Sequence, residues 1–246
     1  MANLGRRWKR VMAIGCTHGD FMHPQAYKDA MEFRRRFQPQ VRFHLGDLID
    51  ATCFRSGAAG SKDEFKRPHD DMSVAARIIE EYEPTHLTWG NHDWRLYELM
   101  DHPKALVSTL AGQLWHDLNS RLKKLKCRTV DYDVEDGWLE AGGYLWGHGY
   151  EYNMQALRDT AEANGMPTVM AHLHYAHQSE GRTRKGTPSY CVGTLADERK
   201  LKYARRRRKT LQHCHGLVYG EMTDKETHLW LVRSDIGKPM HFPPGI

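Results

Sequence analysis

The sequence predicts an α/β sandwich, in which mixed β-sheets are covered on the outside by helices. Three observations support this fold class. Strand-like and helix-like segments alternate through most of the chain, further strand-like segments follow, and clusters of polar side chains come directly after strands. We find no internal repeat and no dividing linker in the 246 residues, so we expect a single domain over residues 1–246.

Short apolar or alternating runs predict the strands. Residues 11–14 form an apolar run that is typical of a buried strand, whereas residues 41–45 alternate between apolar and polar side chains. The last four strands are expected to form an antiparallel group. In chain order, the predicted strands cover residues 11–14, 41–45, 85–89, 128–132, 138–141, 144–146, 168–170, 177–183, 189–193, 216–222 and 227–233.

Apolar residues at helical spacing predict the helices. Pro24 places a proline in the first turn of the first helix, and leucines recur on one face of the fourth. That face predicts core packing, with a partner helix as the alternative. Residues 51–68 lack periodicity, so we expect a loop beside the strand ends. The predicted helices cover residues 24–37, 70–82, 94–100, 104–126 and 153–164.

Composition narrows the class of protein. The net charge is +5 and the pI is about 8.9, a mildly basic balance that is compatible with a phosphate-bearing substrate. The five cysteines are odd in number and include no Cys-x-x-Cys pair, which argues against a disulfide framework and for a reducing compartment. No apolar run reaches membrane-spanning length. We therefore expect a cytoplasmic protein with no membrane partner.

Ligand-type side chains follow the predicted strands. Because the carboxyl ends of strands in open α/β sheets form ligand sites, we expect these side chains to meet. Two divalent metal ions sharing a carboxylate, about 3.5–4 Å apart, need such a mixture of oxygen and nitrogen donors. A structural zinc would instead use four nitrogen or sulfur ligands in close pairs. The candidates are Cys16, His18, Asp47, Asp50, Asn91, His92, Asp93, His148, His172 and His174.

Five motifs carry a resemblance to a known family. In order they are Cys16-x-His18, Gly46-Asp47-x-x-Asp50, Gly90-Asn91-His92-Asp93, Gly147-His148 and His172-x-His174. Their order and spacing over residues 14–174 resemble the calcineurin-like metallophosphoesterases, whose first motif is Asp-x-His. The resemblance implies a four-layer αββα sandwich, with two mixed β-sheets flanked by helices. It also implies a phosphoesterase that hydrolyses phosphomono- or phosphodiesters by attack of a metal-bound hydroxide.

The resemblance also implies roles for individual residues. His92 would stabilise the transition state or protonate the leaving oxygen, with Asp50 or Asp93 orienting it. Two divalent metal ions, chosen from Mn, Zn and Fe, would be the cofactors. The first metal would be held by Cys16, His18, Asp47 and His174, and the second by Asp47 as a bridge with Asn91, His148 and His172.

Cys16 is the main departure from the family pattern. It is either a ligand in place of the family's aspartate or a small buried apolar residue. Asp20 offers an alternative carboxylate if Cys16 does not bind. A catalytically impaired protein that uses the same fold as a nucleic-acid or protein binding module is the rival interpretation.

A run of five basic residues near the end of the chain has two possible interpretations. It is either a solvated surface segment or a contact to a phosphate backbone, which would make a nucleic acid or nucleotide the substrate class. No feature of the sequence predicts the oligomeric state. The run consists of Arg205, Arg206, Arg207, Arg208 and Lys209.

Overall fold

Two mixed β-sheets face each other at the centre of the molecule. The structure is a computed structural model that describes residues 7–153, 155–182, 186–201 and 212–244. The strands are β1 (Lys9–Ile14), β2 (Val41–His44), β3 (His86–Thr88), β4 (Arg128–Val130), β5 (Trp138–Ala141), β6 (Tyr144–Gly147), β7 (Thr168–Met170), β8 (Ala176–Glu180), β9 (Pro188–Val192), β10 (Cys214–Met222) and β11 (Thr227–Asp235). The first sheet has the order β11-β10-β1-β2-β3-β4 and the second β5-β6-β7-β9-β8.

Helices cover the outer faces of both sheets. They are α1 (Pro24–Phe37), α2 (Pro68–Tyr82), α3 (Asn91–Glu98), α4 (Ala105–Lys124) and α5 (Ala156–Asn164). The first four share a hydrophobic core with β1, β3 and β10, whereas α5 packs against β7 and β9 of the second sheet. A separate apolar cluster fills the space between the sheets. The predicted four-layer αββα sandwich is therefore confirmed.

Successive side chains of β1 point to opposite faces of the sheet and pack into two different hydrophobic cores. Met12 and Ile14 pack with the helices, while Val11 and Ala13 belong to the cluster between the sheets. Across that inner cluster, Phe43 and Trp146 stack with their ring centroids 4.1 Å apart and their planes 1° from parallel. Buried apolar area stabilises a fold by roughly 25 cal/mol per Å², so this inner layer holds the two sheets together.

The last four strands do not form one antiparallel group, so that prediction is wrong. Strands β8 and β9 pair antiparallel in the second sheet, where β9 also runs parallel to β7. Strands β10 and β11 instead join the first sheet, with β10 antiparallel to β1. Residue periodicity identifies a strand and its buried face, but it does not identify the neighbouring strand.

Helices α3 and α5 each begin three residues away from their predicted first residue. Helix α3 begins at Asn91, three residues early, because Asp93 in its first turn accepts the backbone N–H of Gly90. Helix α5 begins at Ala156. Asn153, predicted to cap it, accepts a backbone N–H two residues further along the chain. Side-chain hydrogen bonds to the backbone thus set both starting points.

Helix α4 matches its predicted position, and its leucines divide between core and surface. Leu114, Leu118 and Leu122 are buried in the core with the other helices, as predicted. Leu106, at the start of the same stripe, is 81% exposed. The stripe therefore packs against the protein only over its middle and last turns.

Two further predictions concern membrane association and the basic run. Among the described residues, none of the helices combines the length and apolar character needed to cross a membrane. The basic run Arg205–Lys209 lies outside the described residues.

Candidate metal centre

The candidate ligands meet where strands of the two sheets end. Strands β1, β2 and β3 run parallel in the first sheet, and β6 and β7 run parallel in the second. The segments after the first three strands carry His18, Asp47 and Asn91, the last at the start of α3, and the loops after β6 and β7 carry histidines. The sandwich therefore brings ligands from both sheets to one edge, as expected for α/β folds.

One cluster joins Cys16, His18, Asp47 and His174. One ligand atom from each lies within 4.8 Å of the others, and all four residues are buried. The Nε2 atoms of His18 and His174 lie 3.0 Å apart. His18 Nδ1 lies 3.0 Å from Asp50 Oδ2, so its proton is donated there and its Nε2 carries a lone pair.

His174 has the same arrangement. Its Nδ1 donates to Glu198 Oε1 at 2.6 Å, and its Nε2 is the ring nitrogen that faces His18. The two Nε2 atoms thus lie next to each other, beside the carboxylate of Asp47. Two imidazole nitrogens and a carboxylate oxygen that converge in this way fit a metal ion.

A second cluster joins Asp47, His148 and His172, again with ligand atoms within 4.8 Å of one another. His148 Nδ1 donates to the backbone carbonyl of Leu45 at 2.7 Å. Its Nε2 lies 3.2 Å from Asn91 Oδ1 and 3.3 Å from Asp47 Oδ2. Imidazole, amide and carboxylate groups converge here, and together they have the chemistry of a cation site.

Asp47 lies between the clusters. Its Oδ2 is 3.5 Å from His18 Nε2 and 3.3 Å from His148 Nε2, while Oδ1 accepts the backbone N–H of His92. Burial would raise the pKa of this carboxyl, but His148, His92 and His18 hold it well below its usual range. Asp47 is therefore ionised and faces both groups of donors.

Cys16 belongs to the first cluster but is also fully buried. Its Sγ accepts the backbone N–H of His172 at 3.3 Å. Burial and the charge of Asp47 raise the pKa of the thiol well above its usual value. The thiol therefore stays protonated unless a positive ion stabilises the thiolate. Asp20, the alternative carboxylate, instead pairs with Lys66.

A cavity of about 260 Å³ opens onto the clusters. Its lining combines carboxylate, amide and imidazole groups with one phenol. The lining residues are Asp47, Asn91, His92, Tyr152, His172, His174 and His213.

Comparison with known proteins decides the family. The sequence profile of the calcineurin-like phosphoesterases matches residues 9–206, which is more than half of the chain. The chain belongs to this family. Its members use divalent metal ions, in agreement with the clustered ligands. No curated protein matches the sequence.

Solved structures provide a second comparison for this calcineurin-like phosphoesterase. It is similar to a 5′-nucleotidase precursor from Thermus thermophilus, with 10% identity and a TM-score of 0.44, over 94% of this chain and 55% of that one. It is similar to vacuolar protein sorting 29 from Cryptosporidium parvum, with 11% identity and a TM-score of 0.43, over 94% of both chains. It is also similar to a phosphatase from Mycoplasma pneumoniae, with 11% identity and a TM-score of 0.42, over 94% and 95%.

The three predicted catalytic residues of this calcineurin-like phosphoesterase lie in two different environments. His92 Nδ1 is 2.9 Å from the backbone oxygen of Asp50 and 3.3 Å from Asp50 Oδ2. Burial would lower the pKa of His92, but Asp47 and Asp50 raise it to about 9. Asp93 instead binds backbone, since its two oxygens accept the N–H groups of Ile49 and Gly90.

Asp50 thus contacts both His18 and His92, whereas Asp93 joins the loop after β2 to the start of α3. Burial would raise the pKa of Asp50, but the hydrogen bonds from His18 and His92 hold it well below its usual range. Burial and Asp47 raise the pKa of Asp93 to about 6.

Two residues beside the site carry no signal in the sequence that predicts their role. Glu198 accepts hydrogen bonds from His174 Nδ1 and from His213 Nδ1, at 2.6 Å and 2.5 Å. Burial would raise its pKa, but both imidazoles hold it well below the usual range. Neither residue belongs to a family motif, and they are 15 positions apart in the sequence. Only the folded chain shows that they meet.

The backbone at the ligands is unusual. Gly90 lies so close to Asp47 that a Cβ atom on the glycine would be 2.3 Å from Asp47 Oδ1. Five ligand positions adopt left-handed backbone, which costs about 1–2 kcal/mol for most residues. These positions, with φ between 49° and 62°, are Cys16, His18, Asp47, His172 and His174.

Proposed function

We propose that the protein is a metal-dependent phosphoesterase that hydrolyses phosphomonoesters or phosphodiesters at a dinuclear centre. The observation that carries this proposal is the position of Asp47. One of its oxygens lies within 3.5 Å of a histidine nitrogen in each cluster. A carboxylate in that position can bridge two divalent ions.

The two clusters supply the proposed ligands. Divalent ions bound there, with Mn, Zn or Fe the expected types, would offset charge on the phosphate and activate water as the nucleophile. The first set is Cys16, His18, Asp47 and His174. The second set is Asp47, Asn91, His148 and His172.

His92 is proposed to act on the substrate rather than on the metal ions. Its backbone N–H donates to Asp47, and its Nδ1 is held by Asp50. These contacts fix the ring in the wall of the cavity. There it would stabilise the transition state or donate a proton to the leaving oxygen, while Asp50 positions it.

We also infer that residues 1–246 act as one domain. The proposed first set takes His18 and Asp47 from the first sheet and His174 from the second. Neither sheet contains a complete ligand set. The site therefore requires both sheets to fold together.

The test combines metal analysis with hydrolysis. Purified wild type should contain divalent metal and hydrolyse an activated aryl phosphodiester or monoester, and a chelator should abolish the activity. Asp47→Asn should lose metal and activity together, since the bridge serves both ions. Asp117→Asn, an exposed pair partner of Arg121 on α4, is the matched control and should retain both. Well-folded wild type that binds no metal under metal-replete conditions would refute the proposal.

The burial of Cys16 favours a second candidate function. A protonated, fully buried thiol at a family carboxylate position would weaken the first metal set. The protein would then bind a nucleic acid or a protein partner without turnover. The hydrolysis assay separates the candidates, because only the phosphoesterase shows chelator-sensitive turnover.

A nucleic-acid substrate or partner would be consistent with the net charge of +5. We propose that the basic run 205–209 binds phosphates. Its neutralisation should then lower the slope of log affinity against log salt by about 0.9 for each duplex phosphate that the variant no longer binds. Unchanged affinity and slope would assign the run to solvated surface.

A further inference from the structure

A histidine outside the family motifs lies beside the first metal cluster. His213 and His174 have ring centroids 5.2 Å apart, and both rings line the same cavity. The two residues come from opposite sides of Glu198 in sequence, and both reach its carboxylate. One buried carboxylate thus holds a family ligand and an additional histidine together.

Glu198 determines the tautomers of both rings. An ionised carboxylate only accepts hydrogen bonds, so each Nδ1 must carry the donated proton. The Nε2 atoms of His174 and His213 are then the ring nitrogens that remain to bind a metal ion. A carboxylate bound to the far nitrogen of an imidazole is the usual outer-shell partner of a metal-binding histidine. Glu198 provides that partner twice.

His213 Nε2 is a buried polar atom with no hydrogen-bond partner among the described residues. Its side chain is only 8% exposed. An unsatisfied buried polar atom costs about 1–3 kcal/mol, and a metal ion bound at His213 Nε2 would remove that cost. His174, its counterpart on Glu198, already directs Nε2 toward His18 in the first cluster.

We propose that His213 Nε2 is an additional metal ligand of this centre, held in place with His174 by Glu198. This inference rests on the proposed function, since it extends the same metal site. His213 would add a nitrogen donor to a first set in which Cys16 Sγ also accepts the backbone N–H of His172. It favours zinc or iron over magnesium or calcium, because imidazole suits those ions better.

The test measures metal binding and not activity. His213→Gln should weaken zinc retention against a competing chelator at least 10-fold. X-ray absorption of the zinc-loaded protein should show fewer imidazole neighbours per metal than wild type. Glu198→Gln should weaken retention about 10–100-fold, the usual cost of losing such an outer partner. The control is His228→Gln, since His228 pairs with Glu226 at 3.2 Å on an exposed surface. That variant should match wild type.

Other outcomes overturn the inference. Unchanged zinc retention and imidazole number in His213→Gln would exclude ligation. Unchanged metal content with weaker binding of inorganic phosphate would make His213 a substrate contact instead. If His213→Gln does not fold, zinc retention and the number of imidazole neighbours should be measured in Glu198→Gln instead. Wild type that binds no zinc would refute the proposed function as well. If wild type binds zinc and His213→Gln binds it equally well, only the inference about His213 is refuted.

Discussion

At the scale of single residues, Cys16 is the main departure from the family pattern at the candidate metal centre. Its sulfur lies in a cluster of oxygen and nitrogen donors, is fully buried and accepts a backbone N–H from His172. Thiolate is a softer ligand than carboxylate. As a ligand in the proposed first set, Cys16 would favour softer metal ions than the family's aspartate does.

Replacing Cys16 by aspartate should restore the family's carboxylate. Asp adopts left-handed backbone more readily than most residues, so the φ of 49° at position 16 should accommodate it. We expect metal preference to move from zinc or iron toward manganese or magnesium, as measured by metal content after loading with equimolar mixtures. Cys16→Ser is the control for size and should weaken the first set without that change. The same preference in wild type and Cys16→Asp would show that the sulfur is not a ligand.

His92 should affect catalysis without affecting metal retention. Its contacts to Asp47 and Asp50 place the ring in the cavity wall, outside both proposed ligand sets. Removing a proton-transfer group typically lowers the rate about 10²–10⁴-fold. His92→Ala should therefore lower kcat by that factor while metal content stays constant. The loss should shrink for esters with good leaving groups, and an equal loss for all leaving groups would exclude the acid role.

At the scale of elements, the first turn of α3 organises the site. Gly90 allows close approach to Asp47, and Asn91 and His92 then point into the cavity from the beginning of the helix. Asp93 fixes this turn by accepting N–H groups from both Gly90 and Ile49. The helix start and the loop after β2 are thereby joined through one buried carboxyl.

Asp93→Asn should test that connection. The amide keeps one acceptor oxygen but directs an NH₂ group at a backbone N–H, leaving a buried donor unsatisfied. Such a loss costs about 1–3 kcal/mol. We expect the free energy of unfolding in urea to fall by that amount in metal-free protein. Asp117→Asn, on the exposed face of α4, should change it by less than about 1 kcal/mol. Equal effects of both substitutions would show that the Asp93 carboxyl does not stabilise the turn.

The sequence predicts those features that depend on residues close together in the chain. The apolar run before Gly15 predicts β1, and residues such as His18 and Asp47 follow strands at fixed spacing. Strand partners were not predictable, because the pairing of β10 with β1 joins residues about 200 positions apart. The roles of Glu198 and His213 were not predictable for the same reason. Their relation to His174 depends on the folded chain and on no short motif.

At the scale of the whole molecule, the centre lies across the junction of two sheets. The inner layer, with Phe43 stacked on Trp146, holds the sheets at a fixed separation. Two buried histidines, His44 and His172, are kept neutral. Burial lowers the pKa of His44 to about 3, and burial together with His148 lowers that of His172 to about 3. Their protonation is therefore coupled to global unfolding.

Acid should destabilise the metal-free protein through these groups. The folded pKa of His44 is below the unfolded value of about 6.5, so the unfolded chain binds its proton first as the pH falls. The stabilisation is complete above pH 6.5 and is lost toward pH 3, by up to about 1.4 kcal/mol per pH unit for each group. Unfolding free energies measured from pH 7 to 4 should fall less steeply in His44→Gln. His228→Gln, exposed on β11, should keep the wild-type slope. Parallel slopes for all three proteins would contradict this account.

The left-handed backbone at the ligands also has a consequence for how such a site changes over generations. A position with φ near 50° penalises β-branched side chains most and Asp, Asn and Gly least. The backbone conformation at position 16 therefore limits which residues can replace Cys16 without strain, whatever their affinity for a metal ion. Neither cysteine nor aspartate is β-branched, so either residue can replace the other at this position. A lineage could therefore trade one metal preference for another through a single residue, with the surrounding sandwich left intact.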